Sequence, residues 1–160
     1  MPIREIRREE VAHATDLYLE ACKLLSERDA EWGVPDRDPI DRWIHRTTES
    51  DQAVCLVPDE GDDAIAGLLL ASVARHPAMP CVLGMLEELH VRPGPEQDRF
   101  MRELVEAGIA WARDRGASPI QTVVGLDAPW TNEELSFWTS MGFEHGQTLV
   151  TRYFLEDDGG

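Results

Sequence analysis

One stretch, Glu87–Arg115, constrains the fold of this chain more than any other. It reads as a buried strand ending near Val91, a Pro-Gly-Pro turn at residues 93–95, and a long amphipathic helix. The first N–H groups of a helix lack partners and meet the positive end of its dipole, so phosphate binds readily there. Here Glu96 and Asp98 add negative charge at that place. The stretch therefore predicts the shape of an anion-binding turn together with a charge that opposes phosphate.

Composition narrows the functional classes. A length of 160 residues with 42% apolar residues suffices for one domain with a sizeable core. The formal net charge of −16 argues against nucleic acid, whose affinity comes mainly from cationic contacts to phosphate. The same charge favours encounter with a cationic substrate. We therefore expect a small-molecule partner and no nucleic acid.

The chain carries none of the sequence signals for membrane insertion, secretion or metal binding. No run of about 18 apolar residues occurs, so we expect no membrane span. The start Met-Pro-Ile-Arg is not that of a signal peptide. The three cysteines are widely spaced without a CxxC motif, which argues against a disulfide framework and a metal site. These features predict a cytoplasmic protein without a bound metal.

Hydrophobic periodicity predicts the element order β-α-α-β-β-β-α-β-α-β. The predicted helices are Arg8–Arg28, Asp38–Thr48, Gln97–Arg115 and Asn132–Met141, and the predicted strands are Pro2–Arg7, Ala53–Val57, Ile65–Val73, Val82–Val91, Ile120–Val124 and Thr148–Leu155. The run Ile65–Val73 is nearly continuous in apolar residues, which is typical of a central strand covered on both faces. Asp38 is expected to cap the second helix, with Pro39 at its first position.

The mixture of hairpins and helical crossovers indicates a mixed sheet in an α/β or α+β domain. We expect one domain over residues 1–155, followed by an acidic flexible tail over residues 156–160.

Four segments carry a further signal in their order and spacing. They are Ile3-Arg4-Glu5-Ile6-Arg7, the acidic turn followed by Ile65-Ala66-Gly67, the strand end Leu89-His90-Val91-Arg92-Pro93, and the segment Asn132–Phe143 with its Phe137-Trp138 and Met141-Gly142-Phe143 groups. Together they resemble the GNAT N-acetyltransferase superfamily over nearly the whole chain. The resemblance implies that acetyl-CoA is the acyl donor and that a small-molecule amine is the acceptor.

The resemblance also implies where acetyl-CoA is held. In the family, the pyrophosphate rests on backbone amides of an Arg/Gln-x-x-Gly-x-Gly/Ala signature at the start of the helix. Counted from the turn, the three defined positions of the signature are occupied by Glu96, Arg99 and Met101. The spacing of the signature is therefore kept, but its residue types are not. The implied cofactor-binding residues are Leu89, Val91, Glu96, Gln97, Asp98, Arg99, Phe100, Met101 and Asn132. The guanidinium groups of Arg92, Arg99 and Arg102 are candidates to compensate for the lost signature.

Acyl transfer to an amine needs a base, donors for the developing oxyanion and an acid for the leaving thiolate. Glu87, Glu88 and His90 are the candidate bases. In a regular strand Glu88 and His90 share one face while Glu87 lies opposite, and a bulge would shift that phase. The resemblance assigns the oxyanion donors to backbone N–H groups near Leu89 and Val91.

Trp138 occupies the position of the tyrosine that acts as the acid in the family. An indole N–H donates a hydrogen bond but releases no proton at working pH. The chain has two tyrosines, Tyr18 and Tyr153, and neither stands at the position of the family's acid.

Two functional hypotheses stay open. The first is acetyl-CoA-dependent acyl transfer to an amine. The second is a non-catalytic GNAT-like domain that has lost ordinary acetyl-CoA binding and instead binds a ligand or a protein. A homodimer is compatible with either, and it is suggested by Trp111 and Trp130 on segments expected to be exposed.

Overall fold

A computed structural model describes residues 2–29, 33–59, 65–124 and 131–144. The helices are α1 (Val11–Arg28), α2 (Arg37–Thr47), α3 (Gln97–Asp114) and α4 (Thr131–Ser140), with a 3-10 turn at Arg8–Glu10, and the strands are β1 (Ile3–Glu5), β2 (Ala53–Pro58), β3 (Gly67–Arg75), β4 (Val82–Val91) and β5 (Ala117–Thr122). The predicted strand Thr148–Leu155 and the predicted tail 156–160 lie outside the described residues. No helix in the described part of the chain is long and apolar enough to cross a membrane.

The strands form one sheet in the order β1-β2-β3-β4-β5. The first four strands are antiparallel neighbours, whereas β4 and β5 are parallel and are joined through α3. The described elements therefore confirm the mixed α/β architecture that the sequence predicts.

Side chains from the two faces of the sheet enter two separate cores. Leu68 and Leu70 pack with α1 and α2, whereas Leu69, between them, packs with α3. Each of these three leucines is at most 1% exposed. This burial confirms that the apolar run is a central strand covered on both faces.

α2 begins before its predicted start, so the assignment of Asp38 as the cap is wrong. Asp36 is at the N-cap and makes no capping hydrogen bond with its side chain. Asp38 instead lies in the first turn, where a negative charge meets the positive end of the dipole. Pro39 is tolerated in that turn because the first N–H groups of a helix have no intrahelical acceptor.

β5 also begins before its predicted start at Ile120. Gly116 follows α3 with a φ of 78°, a left-handed conformation that glycine adopts readily after a helix. That left-handed turn brings Ala117 directly opposite Val82 of β4, so strand pairing starts at once. Sequence periodicity missed these first residues because Ser118 and Pro119 are exposed and carry no apolar signal.

Trp111 is buried, contrary to the expectation that it is exposed. It is 8% exposed within the α3-side core, and the Arg115 guanidinium carbon lies 4.1 Å from its ring centroid. Trp130 lies outside the described residues. Trp111 therefore contributes to the core and gives no support to a dimer interface.

Candidate functional site

β4 continues beyond the end of its pairing with β5. The last paired residues are Leu86 and Thr122, and β4 runs on to Val91 with only β3 as a described partner. The Arg92 N–H donates to the Ala66 carbonyl, 2.9 Å away on the β3 side. Because N–H directions alternate along a strand, the N–H groups of residues 89 and 91 point away from β3, toward the side of β5.

A β-bulge lies where β4 and β5 separate. Leu70 of β3 pairs with Glu88, but the next β3 residue, Ala71, pairs with Leu86. Glu87 is therefore the extra residue of the bulge. Such an insertion changes the phase of the strand, so the side chains after it cannot be assigned from simple alternation.

Glu87 lies on the same face of the sheet as Glu88, because the bulge shifts the phase that a regular strand would have. The Ser72 hydroxyl donates a hydrogen bond to the Glu87 carboxylate. Ser72 sits between Ala71 and Val73, which both enter the α3-side core, and it therefore points to the α1 side. The bulge turns Glu87 toward this hydroxyl, where its exposed carboxylate has a structural partner.

Glu88 and His90 form a pair on the α1 side, on one face as the sequence predicts. The His90 Nε2 atom lies 3.1 Å from the Glu88 Oε2 atom. An ionised carboxylate only accepts, so this imidazole nitrogen is the donor. The His90 side chain is 12% exposed, and that of Glu88 is 35% exposed. The carboxylate is thus held in place while part of it remains accessible.

Tyr18 of α1 completes this cluster, although the sequence analysis assigned it no part in the site. Its ring meets the His90 ring edge-on with centroids 4.9 Å apart, and the Trp43 ring of α2 at 5.9 Å. Burial, and then the charge of Glu88, raise the pKa of the Tyr18 phenol well above its usual range. Its place in the apolar stripe of α1 identified a buried residue, but no sequence signal linked it to His90.

Glu134, half-buried on α4, lies within electrostatic range of the same cluster. Burial raises the pKa of its carboxyl, the charge of Glu88 raises it further, and His90 opposes the shift. α4 starts near the end of α1, where Arg28 Nη2 lies 3.7 Å from Glu133 Oε2. The sequence did not point to Glu134 because its proximity to β4 depends on how α4 is placed.

The arginines at the start of α3 are paired with acidic neighbours. Arg99 Nη1 lies 2.6 Å from Glu96 Oε2, and Arg102 Nε lies 3.0 Å from Asp98 Oδ2. Glu96 makes no side-chain capping bond to the helix. Gly94, just before the helix, has no other atoms within 4 Å of the place that a Cβ would take. The turn is open in shape and nearly neutralised by its own side chains.

The other predicted cofactor residues differ in exposure. Phe100 is buried at 5% exposure, and Met101 is half-buried. Gln97 is the first residue of α3. Leu89 and Val91 are partly buried against the α3-side core.

Arg92 is directed toward α1 and not toward the start of α3. Its Nε donates to Glu20 Oε2 at 3.1 Å, and its Nη1 donates to the Ile65 carbonyl at 3.0 Å. Arg92 therefore ties the end of β4 to α1 and to the chain before β3. It does not supply the phosphate contact suggested as compensation.

Trp138 is a core residue in the structure. It is 8% exposed and meets Phe137 and Phe143 edge-on, with centroids 5.2 and 5.1 Å away. Asn132 is exposed in the first turn of α4. In the described ranges, no group of three or more His, Cys, Asp or Glu side chains is placed to hold a metal ion.

Neither a protein-family model nor a curated protein matches this sequence, but solved structures match its fold. A glucosamine-6-phosphate N-acetyltransferase from Arabidopsis thaliana is 15% identical, with 96% of this chain and 97% of that chain covered and a TM-score of 0.69. An aminoglycoside acetyltransferase from an uncultured soil metagenomic sample, in complex with sisomicin, is 14% identical, with coverage of 97% and 96% and a TM-score of 0.71.

A transcriptional regulator from Bacillus halodurans C-125 is similar to the same extent. It is 15% identical, with 96% of this chain and 99% of that chain covered and a TM-score of 0.73. At these identities the likeness is one of fold. The chain has the fold of the GNAT acetyltransferase superfamily.

Proposed function

We propose that this protein is an N-acyltransferase that moves the acetyl group of acetyl-CoA to an amine. The observation that carries the proposal is the end of β4, where a strand edge without a partner among the described residues adjoins the Glu88–His90 pair. An acyl carbonyl that binds at this edge accepts hydrogen bonds from backbone N–H groups. An amine that approaches from the α1 side reaches the Glu88 carboxylate. These are the positions that acyl transfer to an amine needs.

Each part of the reaction has a group in the chain suited to it. Glu88 takes a proton from the ammonium form of the acceptor, so that a neutral nitrogen attacks the thioester carbon. The N–H groups of Leu89 and Val91 donate to the carbonyl oxygen as charge develops on it. The new N–C bond forms and the C–S bond breaks. The second proton of the attacking nitrogen passes through water to the leaving thiolate, because the buried Trp138 offers none.

The chain fits the two ends of acetyl-CoA unequally. The β4 edge beyond its described pairing with β5 suits the thioester end, which needs only backbone groups. The start of α3 suits the pyrophosphate poorly, because Glu96 and Asp98 already neutralise Arg99 and Arg102. A carboxylate about 5 Å from a phosphate opposes binding by roughly 1 kcal/mol or more. We therefore infer that the donor binds through backbone groups and with low affinity.

A non-catalytic ligand-binding or protein-binding domain is the second candidate. It is favoured by the same paired arginines and by the burial of Trp138 where the family has its acid. A ligand or protein other than acetyl-CoA would then bind at the cluster around Glu88.

Release of free thiol from acetyl-CoA in the presence of a panel of primary amines tests the proposal. We expect turnover by the unchanged protein and a loss of about 100-fold or more in Glu88→Gln, since a positioned base contributes about that much. Glu106→Gln, an exposed charge change on α3, is the matched control and should keep full activity.

Two results would count against the proposal. Absence of thiol release with every amine, combined with no heat on titration with acetyl-CoA, would favour the non-catalytic candidate. Turnover that survives in Glu88→Gln would overturn the assignment of the base.

A further inference from the structure

The base of the proposed reaction needs contacts outside its own strand to keep a fixed direction. Glu88 directly follows Glu87, the extra residue of the bulge, and its side chain is 35% exposed. A long, partly exposed side chain samples several rotamers unless its neighbours hold it. A misplacement of about 1 Å in a reacting group costs about 100-fold in rate. The contacts that orient this carboxylate therefore decide how well it serves as a base.

His90 holds one of the two oxygens of this carboxylate. Its Nε2 atom lies 3.1 Å from Glu88 Oε2 and is the donor of the hydrogen bond. The two residues lie two positions apart on one strand, so the bond orients Glu88 only if the imidazole ring is itself held. The His90 side chain is largely buried, so other elements restrict its ring.

Tyr18 packs against the His90 ring from another element. The two rings meet edge-on, with centroids 4.9 Å apart and planes at 82°, a favoured arrangement of aromatic pairs. Tyr18 in turn meets the Trp43 ring of α2 edge-on at 5.9 Å and packs against the α1-side core. Three rings thus connect α2, through α1, to the strand that carries Glu88.

The phenol of Tyr18 is not suited to exchange protons itself. Burial, and then the charge of Glu88, raise the pKa of this hydroxyl well above its usual range. The hydroxyl therefore stays protonated under working conditions and cannot act as a base. What Tyr18 contributes to the cluster is the packing of its ring.

We propose that Tyr18 is a positioning residue, whose ring holds the His90 imidazole so that His90 holds the Glu88 carboxylate toward the acceptor amine. The inference rests on the proposed function. Glu88 alone exchanges a proton with the acceptor, and the two rings act through it. Loss of the Tyr18 ring frees the imidazole to rotate, while the backbone groups that hold the acyl donor stay in place.

Steady-state kinetics of Tyr18→Leu and Tyr18→Phe, with an amine that the unchanged protein acetylates, tests the inference. We expect kcat of Tyr18→Leu to fall by about tenfold or more, with KM for acetyl-CoA unchanged. Tyr18→Phe keeps the ring and should retain kcat within about twofold. A loss in Tyr18→Phe equal to that in Tyr18→Leu would assign the effect to the hydroxyl and overturn the inference.

A double-mutant cycle shows whether Tyr18 acts through His90. In the His90→Leu background, Tyr18→Leu should lower kcat by less than about twofold, because the ring that it holds is already absent. A further loss as large as that in the unchanged background would assign Tyr18 a purely structural role and overturn the inference. Melting temperatures show that each variant used in the cycle is folded.

Nitrogen-15 NMR of His90 without substrates separates this inference from the proposed function. The bond to Glu88 requires that the neutral imidazole carry its proton on Nε2. We expect this tautomer alone in the unchanged protein and in Tyr18→Phe, and a mixture in Tyr18→Leu. That result supports the positioning of Glu88 even if no thiol is released. A proton on Nδ1 in the unchanged protein, or a single Nε2–H tautomer in Tyr18→Leu, would overturn the inference while leaving acyl transfer in place.

Discussion

At the scale of single residues, surroundings decide which reactive side chains are available for chemistry. Cys55 of β2 is completely buried in the α1-side core, and burial raises the pKa of its thiol to about 12. Glu88 keeps part of its surface accessible beside His90. The Cys55 thiol is thus inert, and the Glu88 carboxylate is the group placed to exchange a proton.

The thiol of Cys55 should make stability depend on alkaline pH. In the unfolded chain it ionises near pH 9, whereas the folded chain holds its proton until about pH 12. Across this window the unfolded state binds fewer protons, so the free energy of unfolding falls as pH rises, by up to about 1.4 kcal/mol per pH unit. Urea unfolding of Cys55→Val at pH values above about 9 should show a shallower fall.

Cys81→Ala, at the half-buried turn before β4, controls for the loss of a thiol and should keep the slope of the unchanged protein. Equal slopes for Cys55→Val and the unchanged protein would contradict the prediction.

Sequence reasoning found the residues of the site that share one strand and missed those that come from elsewhere. Alternation along β4 placed Glu88 and His90 on one face, as observed. It left the face of Glu87 open, because a bulge depends on how β3 pairs with β4. Tyr18 joins the cluster from α1, and such proximity is not encoded in local spacing.

At the scale of elements, the packing of α3 on the sheet depends on one glycine. Gly108 lies inside the helix, and a Cβ there would come within 2.4 Å of Leu69 Cδ2 and 3.1 Å of Leu86 Cδ2. Both leucines are at most 1% exposed, so neither can move into free space. The glycine allows the close approach that covers β3 and β4.

Gly108→Ala should therefore destabilise the protein. Alanine favours the helix by about 1 kcal/mol, but overpacking a filled core costs about 1–3 kcal/mol. We expect the free energy of unfolding to fall by up to about 2 kcal/mol in chemical denaturation. Gly94→Ala, with no neighbouring atom within 4 Å, should leave stability nearly unchanged. A more stable Gly108→Ala variant would show that the two leucines can shift.

At the scale of the whole molecule, the charge of −16 acts oppositely on the two proposed substrates. Acetyl-CoA is anionic and is repelled at long range, while an acceptor amine is cationic and is attracted. Salt screens both effects, since the Debye length falls to about 8 Å at physiological ionic strength.

Raising NaCl from about 20 mM to about 200 mM should therefore tighten acetyl-CoA binding and raise KM for the acceptor amine. Calorimetric titration measures the first change, and steady-state kinetics measures the second. Acetyl-pantetheine lacks the phosphates and should respond little. Acetyl-CoA affinity that falls with salt would indicate a local cationic contact, contrary to the paired arginines at the start of α3.

The sequence by itself determined the described helices and strands, their order and the central strand, because these depend on periodicity and on short turns. The family resemblance further predicts that the start of α3 keeps the spacing of a phosphate-binding turn without its residues. Only the tertiary structure decided that Arg92 ties β4 to α1, that Trp138 is part of the core, and that Tyr18 meets His90. The physical reason is that burial and charge pairing arise between elements distant in the chain, and local patterns carry no information about them.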